Sequence, residues 1–176
     1  MFERGGVGIR PLEERDLEAA RALRADPRVW MQLGDISMIS PETQQRWFRG
    51  LAADGSRRYY ALFTPEIDFA GIARMDEIDL VNRSVRIGGD VRPDLQGRGL
   101  GRAMLELLVE YAFDHLNAHR VWLLVLETNE RARSLYRSLG MVEEGRQREA
   151  IYRAGTWVDY VSMSLLRTER ERPGAP

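Results

Sequence analysis

With 176 residues, 44% of them hydrophobic and 30% charged, the chain has the length and balance of a single globular domain that can bury a core. Its 26 basic and 27 acidic side chains leave a formal net charge of −1, so no global basic field argues for nucleic acid. Cysteine is absent and histidine occurs only as His115 and His119, which excludes a disulfide framework, a thiolate zinc site and a cysteine nucleophile and argues against a metal centre.

Residues 7–10 read as a first strand, ended by Pro11. Asp16 is placed to cap a helix with Leu17, Ala20 and Leu23 on one face. Ser40 before Pro41 is a second helix start, leading to Trp47, Phe48 and Leu51. Residues 59–63, 69–75 and 84–91 are strand-like, with turn chemistry in Val81-Asn82-Arg83. From Gly99 to His115 the apolar residues Leu100, Met104, Leu107, Leu108 and Tyr111 form a helical stripe. Residues 121–126 are an apolar run of strand length. Asn129 can cap a short helix with Ala132, Leu135, Tyr136 and Leu139 on one face, stopped by Gly140. Strands near 142–152 and 157–166 flank a turn at Ala154-Gly155, and residues 169–176 are expected to be a disordered tail beyond a single domain of residues 1–168.

The order β-α-α-β-β-β-α-β-α-β-β predicts an α/β (α+β) fold, with a mixed, mostly antiparallel sheet of about seven strands and helices on both faces. No apolar run reaches the length of a membrane span and the first residues lack a signal-peptide core, so a cytoplasmic location is the default expectation.

The segment Gln96-Gly97-Arg98-Gly99-Leu100-Gly101-Arg102 joins a strand to a helix. Its alternate glycines let the backbone turn tightly and aim successive amides at one point. The helix beginning there adds unsatisfied amides and the positive end of its dipole, an anion site suited to a pyrophosphate, with Arg98 and Arg102 nearby. A tight turn without ligand fits the same residues. A P-loop is excluded because Arg102-Ala103, not Lys-Ser or Lys-Thr, follows the last glycine. A dinucleotide fold, with Glu127 as the ribose acid, remains an alternative, although antiparallel strands before the loop count against it.

Residues 96–101 match the Gln/Arg-x-x-Gly-x-Gly/Ala motif of the GNAT family of N-acetyltransferases. A second block, from Asn129 through Ala132, Leu135 and Tyr136 to Gly140-Met141, is similar to that family's Asn-x-x-Ala-x-x-Leu-Tyr-x-x-x-Gly-Phe. Val142-Glu-Glu-Gly145 and Trp157-x-Asp159 resemble the subgroup of ribosomal-protein, spermidine and amino-sugar acetyltransferases. The resemblance covers about residues 8–166. It implies a sheet splayed between the fourth and fifth predicted strands (84–91 and 121–126) and acetyl-CoA as cosubstrate, with no metal.

On that resemblance, the coenzyme is expected against Gly89, Asp90 and Val91, against Gln96, Gly97, Arg98, Gly99, Leu100, Gly101 and Arg102, and against Asn129 and Tyr136. Tyr136 is the implied catalytic acid: a phenol of unperturbed pKa about 10 can protonate a departing thiolate of similar basicity. Its place on an apolar stripe equally suits a core tyrosine. Many relatives carry a glutamate base about where Arg86 stands, so the conventional base is missing; Asp90, Asp76, Glu77 and Asp35 are the nearest carboxylates, and none is assigned. Trp30, Asp35 and Asp76 are the expected acceptor contacts. The helix after Ser40 offers only Glu42 as an acid, which weakly disfavours a polyamine.

The expected function is acetyl transfer to a primary amine of a small molecule or protein N-terminus, with no nucleic-acid or membrane partner and a homodimer as a compatible assembly. The alternatives are an NAD(P)-binding oxidoreductase and a non-catalytic coenzyme A-binding module.

Overall fold

The computed structural model describes residues 1–170, and all eight of its strands lie in one sheet. The strands are β1 (Phe2–Arg4), β2 (Val7–Pro11), β3 (Arg58–Thr64), β4 (Ile67–Asp79), β5 (Ser84–Val91), β6 (Arg120–Leu126), β7 (Val142–Arg153) and β8 (Thr156–Leu166). Their order is β1-β2-β3-β4-β5-β6-β8-β7, and every neighbouring pair is antiparallel except β5 and β6. The strand beyond the expected seven is β1, a short edge piece paired with β2.

The helices are α1 (Leu17–Ala25), α2 (Pro27–Trp30), α3 (Pro41–Leu51), α4 (Leu100–Glu110), α5 (Glu130–Ser138) and α6 (Arg167–Arg170). They cover both faces because side chains alternate along each strand. On one face Ile87, Val121, Leu123, Val161 and Met163 meet Met104, Leu107, Leu108 and Phe113, the last from a π turn that continues α4 through His115. Leu135 and Tyr136 of α5 pack against the edge of that core. On the other face Ala61 and Phe69 meet Leu17, Ala20 and Leu23 of α1, with Trp47 and Phe48 of α3 packed alongside. That second cover stops at β4; beyond it the same face carries Arg86 and Asp90 on β5, Trp122 and Leu124 on β6, and Tyr160, Ser162 and Ser164 on β8.

Local signals were realised at most helix ends. The Ser40 hydroxyl accepts from Thr43 N–H (3.1 Å) with Pro41 in the first turn, Asn129 Oδ1 accepts from Ala132 N–H (3.1 Å), and Gly140 has φ 86°. Helix α2 was missed, although Asp26-Pro27 is a cap followed by a first-turn proline: the Asp26 carboxylate accepts from Arg28 N–H at 2.9 Å. The tail expectation needs correction at its start. Glu169 and Arg170 belong to α6, and Arg170 pairs with Asp114 at 2.9 Å; residues 171–176 lie outside the described residues.

Asp16 also differs from its expected role, since its side chain caps no part of α1. It is only 3% exposed, grips the buried Arg10 guanidinium through both oxygens (2.7 and 2.8 Å), and accepts from Glu13 N–H (2.8 Å). Burial alone pushes its carboxyl up, but the hydrogen bonds from Arg10 and Glu13 outweigh that and hold it below the usual range. Its contribution is therefore full above the unfolded-state pKa of about 3.9 and is lost as pH falls through the depressed folded value. Asp16→Ala should destabilise the fold by about 3 kcal/mol at neutral pH, because it leaves Arg10 buried with only the exposed Asp68 as carboxylate partner. In urea titrations the gap between parent and variant should narrow below about pH 4.

Candidate active site

The parallel register of β5 and β6 runs over three pairs and ends with Arg86 opposite Trp122. Beyond it β5 stays paired with β4 as far as Val91 opposite Gly71, while β6 stays paired with β8 as far as Leu126 opposite Tyr160. The two strands diverge between these partners, which leaves the β6-facing edge of residues 87–91 without a strand neighbour. That edge is where the resemblance puts Gly89, Asp90 and Val91 against the coenzyme.

The glycine loop follows directly. After a 3₁₀ turn (Pro93–Leu95), Gly97 and Gly99 both take φ 81°, a left-handed conformation that disfavours side chains. A Cβ at either would point into open space. The first bond of α4 runs from Ala103 N–H to Gly99 C=O, so the amides of Leu100, Gly101 and Arg102 precede the helical ladder. Gln96, Arg98 and Arg102 are exposed around this point. Their side chains make local contacts: Gln96 donates to Val91 C=O (3.3 Å) and accepts from Arg131 (3.1 Å), Arg98 donates to Asp94 C=O (3.5 Å), and Arg102 donates to Ser138 Oγ (2.5 Å) and pairs with Glu106 (3.6 Å). Free amides, a helix start and mobile-length guanidinium arms suit a pyrophosphate. Gly101 lies where the three elements meet: a Cβ there would be in ordinary van der Waals contact with Leu135 of α5 and Val91 of β5, at 3.9 Å each.

Gly88 and Gly89 are needed for two different approaches. A Cβ at Gly89 would sit 2.4 Å from Ile72 C=O and 2.8 Å from Met104 Sδ, so this glycine lets α4 close on the sheet. A Cβ at Gly88 would sit 2.8 Å from Arg74 Nε, so the Arg74 guanidinium lies flat on the β5 backbone at the mouth of the splay.

Tyr136 is half-buried beside the splay, and its phenol is pushed up to about 12, first by burial and then by the negative charge of Asp90. Asp90 is raised above the usual carboxylate range by burial, with Arg74 and Arg24 pulling it back. Two groups that the sequence lists separately thus share one electrostatic site. Asn129 caps α5 just before Tyr136, consistent with a structural role for its side chain.

The other candidate carboxylates are occupied. Asp76 is 5% exposed and pairs with Arg86 (2.5 Å) and Arg74 (3.5 Å), while Glu77 pairs with Arg86 at 2.9 Å. Asp35 is held by Arg24 (3.0 Å) and by the hydroxyl and amide of Ser37. Among the described residues no hydrogen bond or ion pair engages the Asp90 carboxylate. Trp30 donates its indole N–H to Ile36 C=O at 2.8 Å and so fixes the loop before α3. Trp47 lies further back, edge-on to Tyr59 in the second core, away from this group.

Sequence reasoning missed Arg24, Arg74, Arg153 and Tyr160. Arg153 is 9% exposed and donates to Leu33 C=O and to Gly34 C=O (2.9 Å), which ties the 33–35 loop to the β7–β8 hairpin. Tyr160 lies beneath Gly34, whose Cβ would meet the phenol oxygen at 2.4 Å. No sequence signal separates these arginines from solvated ones. Glu127, the proposed ribose acid, is spent on Arg146 (2.8 Å), and the largely antiparallel sheet does not support a dinucleotide fold.

Residues 7–142 match the family of the acetyltransferase (GNAT) domain. The chain is 25% identical over 161 residues to the spermidine N(1)-acetyltransferase of Vibrio cholerae, covering 92% of this chain and 93% of that one. It is 28% identical to a putative ribosomal N-acetyltransferase of Bacillus subtilis, covering 94% and 93%. The fold is that of the Vibrio cholerae spermidine N-acetyltransferase solved with CoA and spermine, with a TM-score of 0.89 over 94% of this chain and 98% of that one at 23% identity.

Because Gly99 needs a positive φ and faces open space, Gly99→Val should act through backbone strain of roughly 1–2 kcal/mol in the loop. Titration calorimetry with coenzyme A should show affinity lowered about tenfold, with the melting temperature lowered by a few degrees, as strain of that size implies.

Proposed function

The chain belongs to the GNAT acetyltransferases, and from that premise we propose that it transfers acetyl from acetyl-CoA to a primary amine, of a small molecule or a protein N-terminus, by direct attack. The observation that carries the reading is the junction at Gly101. There the amide-rich start of α4, the end of β5 and the helix bearing Tyr136 meet in one cluster, with Leu135 and Tyr136 packed against the core that holds Val91 and Leu100.

In this reading the coenzyme supplies the thioester, and the chain supplies binding, alignment and proton handling. The amides at the start of α4, with Arg98 and Arg102, hold the pyrophosphate. The unpaired edge of residues 87–91 aligns the acyl arm by backbone hydrogen bonds, as a missing strand would. Tyr136 keeps its proton throughout the physiological range because burial and Asp90 raise its phenol to about 12. It is the acid for the departing thiolate. Asp90 is the unengaged carboxylate beside it, and a carboxyl raised by burial is a better base near neutrality than a solvated one. Arg86, where many relatives carry glutamate, instead braces Asp76 and Glu77 and stacks on Trp122 at 5.7 Å.

Tyr136→Phe should lower kcat by about 100-fold or more while the affinity for coenzyme A, read by calorimetry, stays within about twofold. Unchanged turnover would remove Tyr136 from the acid role. Asp90 must be ionised to act, so kcat/KM should fall on the acid side through a pKa displaced above the ordinary carboxylate value. Asp90→Asn should abolish that limb along with most of the rate; an acid limb that survives the substitution would place the base elsewhere.

A further inference from the structure

The acceptor side of the splay carries one guanidinium, that of Arg74, which the transfer chemistry does not use. Arg86, Gly88 and Asp90 follow one another on the same face of β5, at a spacing of about 6–7 Å per two residues. Opposite Gly88 in the register stands Arg74, whose guanidinium rests on that glycine. The wall is completed by Arg24 at the end of α1, by Arg153, and by Tyr160, whose phenol feels the charges of Arg153, Arg74 and Arg86.

Three of the four arginines are committed. Arg24 holds Asp35, Arg86 holds Asp76 and Glu77, and Arg153 holds the carbonyls of Leu33, Gly34 and Tyr152. Arg74 is different. Its nearest carboxylate oxygen is 3.5 Å away on Asp76, whose other oxygen Arg86 already takes at 2.5 Å. Among the described residues no hydrogen bond engages the Arg74 side chain, which is 41% exposed. Replacing Gly88 by any other residue would displace this guanidinium, so the backbone is shaped to seat it.

We infer that Arg74 is a specificity residue that binds an anionic group, carboxylate or phosphate, on the acceptor, while the acceptor's amine lies toward Asp90. The inference rests on the acetyl-transfer reading and narrows its substrate class to amines bearing a negative charge a few ångströms from the nitrogen. A guanidinium edge offers such a group two parallel donors. A polycation would meet the loosely held Arg74 guanidinium beside the one open carboxylate, Asp90, which sets this site against the polyamine named for the Vibrio cholerae relative.

The test is a kinetic panel with acetyl-CoA: amino acids against their amides, amino-sugar phosphates against the free amino sugars, and spermidine. Calorimetric titration of the same acceptors onto the coenzyme A complex gives a readout independent of turnover. The parent should favour the charged member of at least one pair by about tenfold or more in kcat/KM, and which pair responds separates carboxylate from phosphate. In Arg74→Gln that preference should collapse toward unity, through KM and Kd rather than kcat, and Arg74→Lys should keep part of it. Equal use of charged and neutral members by the parent, spermidine as the leading acceptor, or an Arg74→Gln loss that is the same for both members would overturn the inference. Turnover absent with every amine would instead strike the transfer reading, and the calorimetric pairs would still decide the role of Arg74.

Discussion

The site depends on the point where β5 and β6 stop pairing. A parallel pair held for only three residues, then pulled apart by partners on opposite sides, opens a cleft in the middle of the sheet without costing the sheet its continuity. Each strand keeps one fully bonded edge, so the unpaired backbone is confined to the inner edges. Everything assigned to the coenzyme flanks that cleft. The glycine loop leaves from the end of β5, α4 packs across β5 through Met104 at Gly89, and α5 follows β6 and brings Tyr136 to the gap.

The two faces of the sheet divide the work. The face under α4 is apolar throughout, and its tight packing holds the loop and α5 in register with β5. The opposite face is covered by α1 and α3 only as far as β4, and beyond that the charged side chains of β5 stand beside Trp122 and Leu124 of β6. Buried charge is tolerated there because it is paired or bonded to carbonyls: Arg10 with Asp16, Asp76 with Arg86, and Arg153 with the 33–35 loop. Arg153 matters for the site because it fastens the loop between α2 and α3, on one side of the cleft, to the β7–β8 hairpin on the other.

Arg86 decides which carboxylates near the cleft are engaged. Once an arginine occupies that position, it neutralises Asp76 and Glu77 and takes both out of contention as bases. Asp90, two strand repeats further on, is left unpaired and close enough to Tyr136 to raise its phenol. Its own charge is met by those two carboxylates, so Arg86 adds no net positive charge to this face.

Much of this was legible in the chain itself, where the physics is local. Alternation and helical periodicity located seven of the eight strands and the helices α1, α3, α4 and α5; cap and turn residues such as Ser40-Pro41, Asn129 and Gly140 marked their ends. Gly97 and Gly99 had to be glycines for a left-handed turn into a helix, whatever lay elsewhere. The motifs around Gln96 and Asn129 carried the family. Asp16 was misread as a cap because its true partner, Arg10, lies on the preceding strand and becomes reachable only when β2 and α1 pack. The acceptor wall was invisible for a related reason. Arg24, Arg74, Arg153 and Tyr160 come from four separate elements, and an arginine drawn into a cleft looks in sequence like one facing water. The sequence determined the coenzyme loop through backbone conformations that single residues dictate. Only the tertiary structure decided which carboxylate stays free and which guanidinium is left without a close carboxylate partner, because those are outcomes of pairing between distant elements.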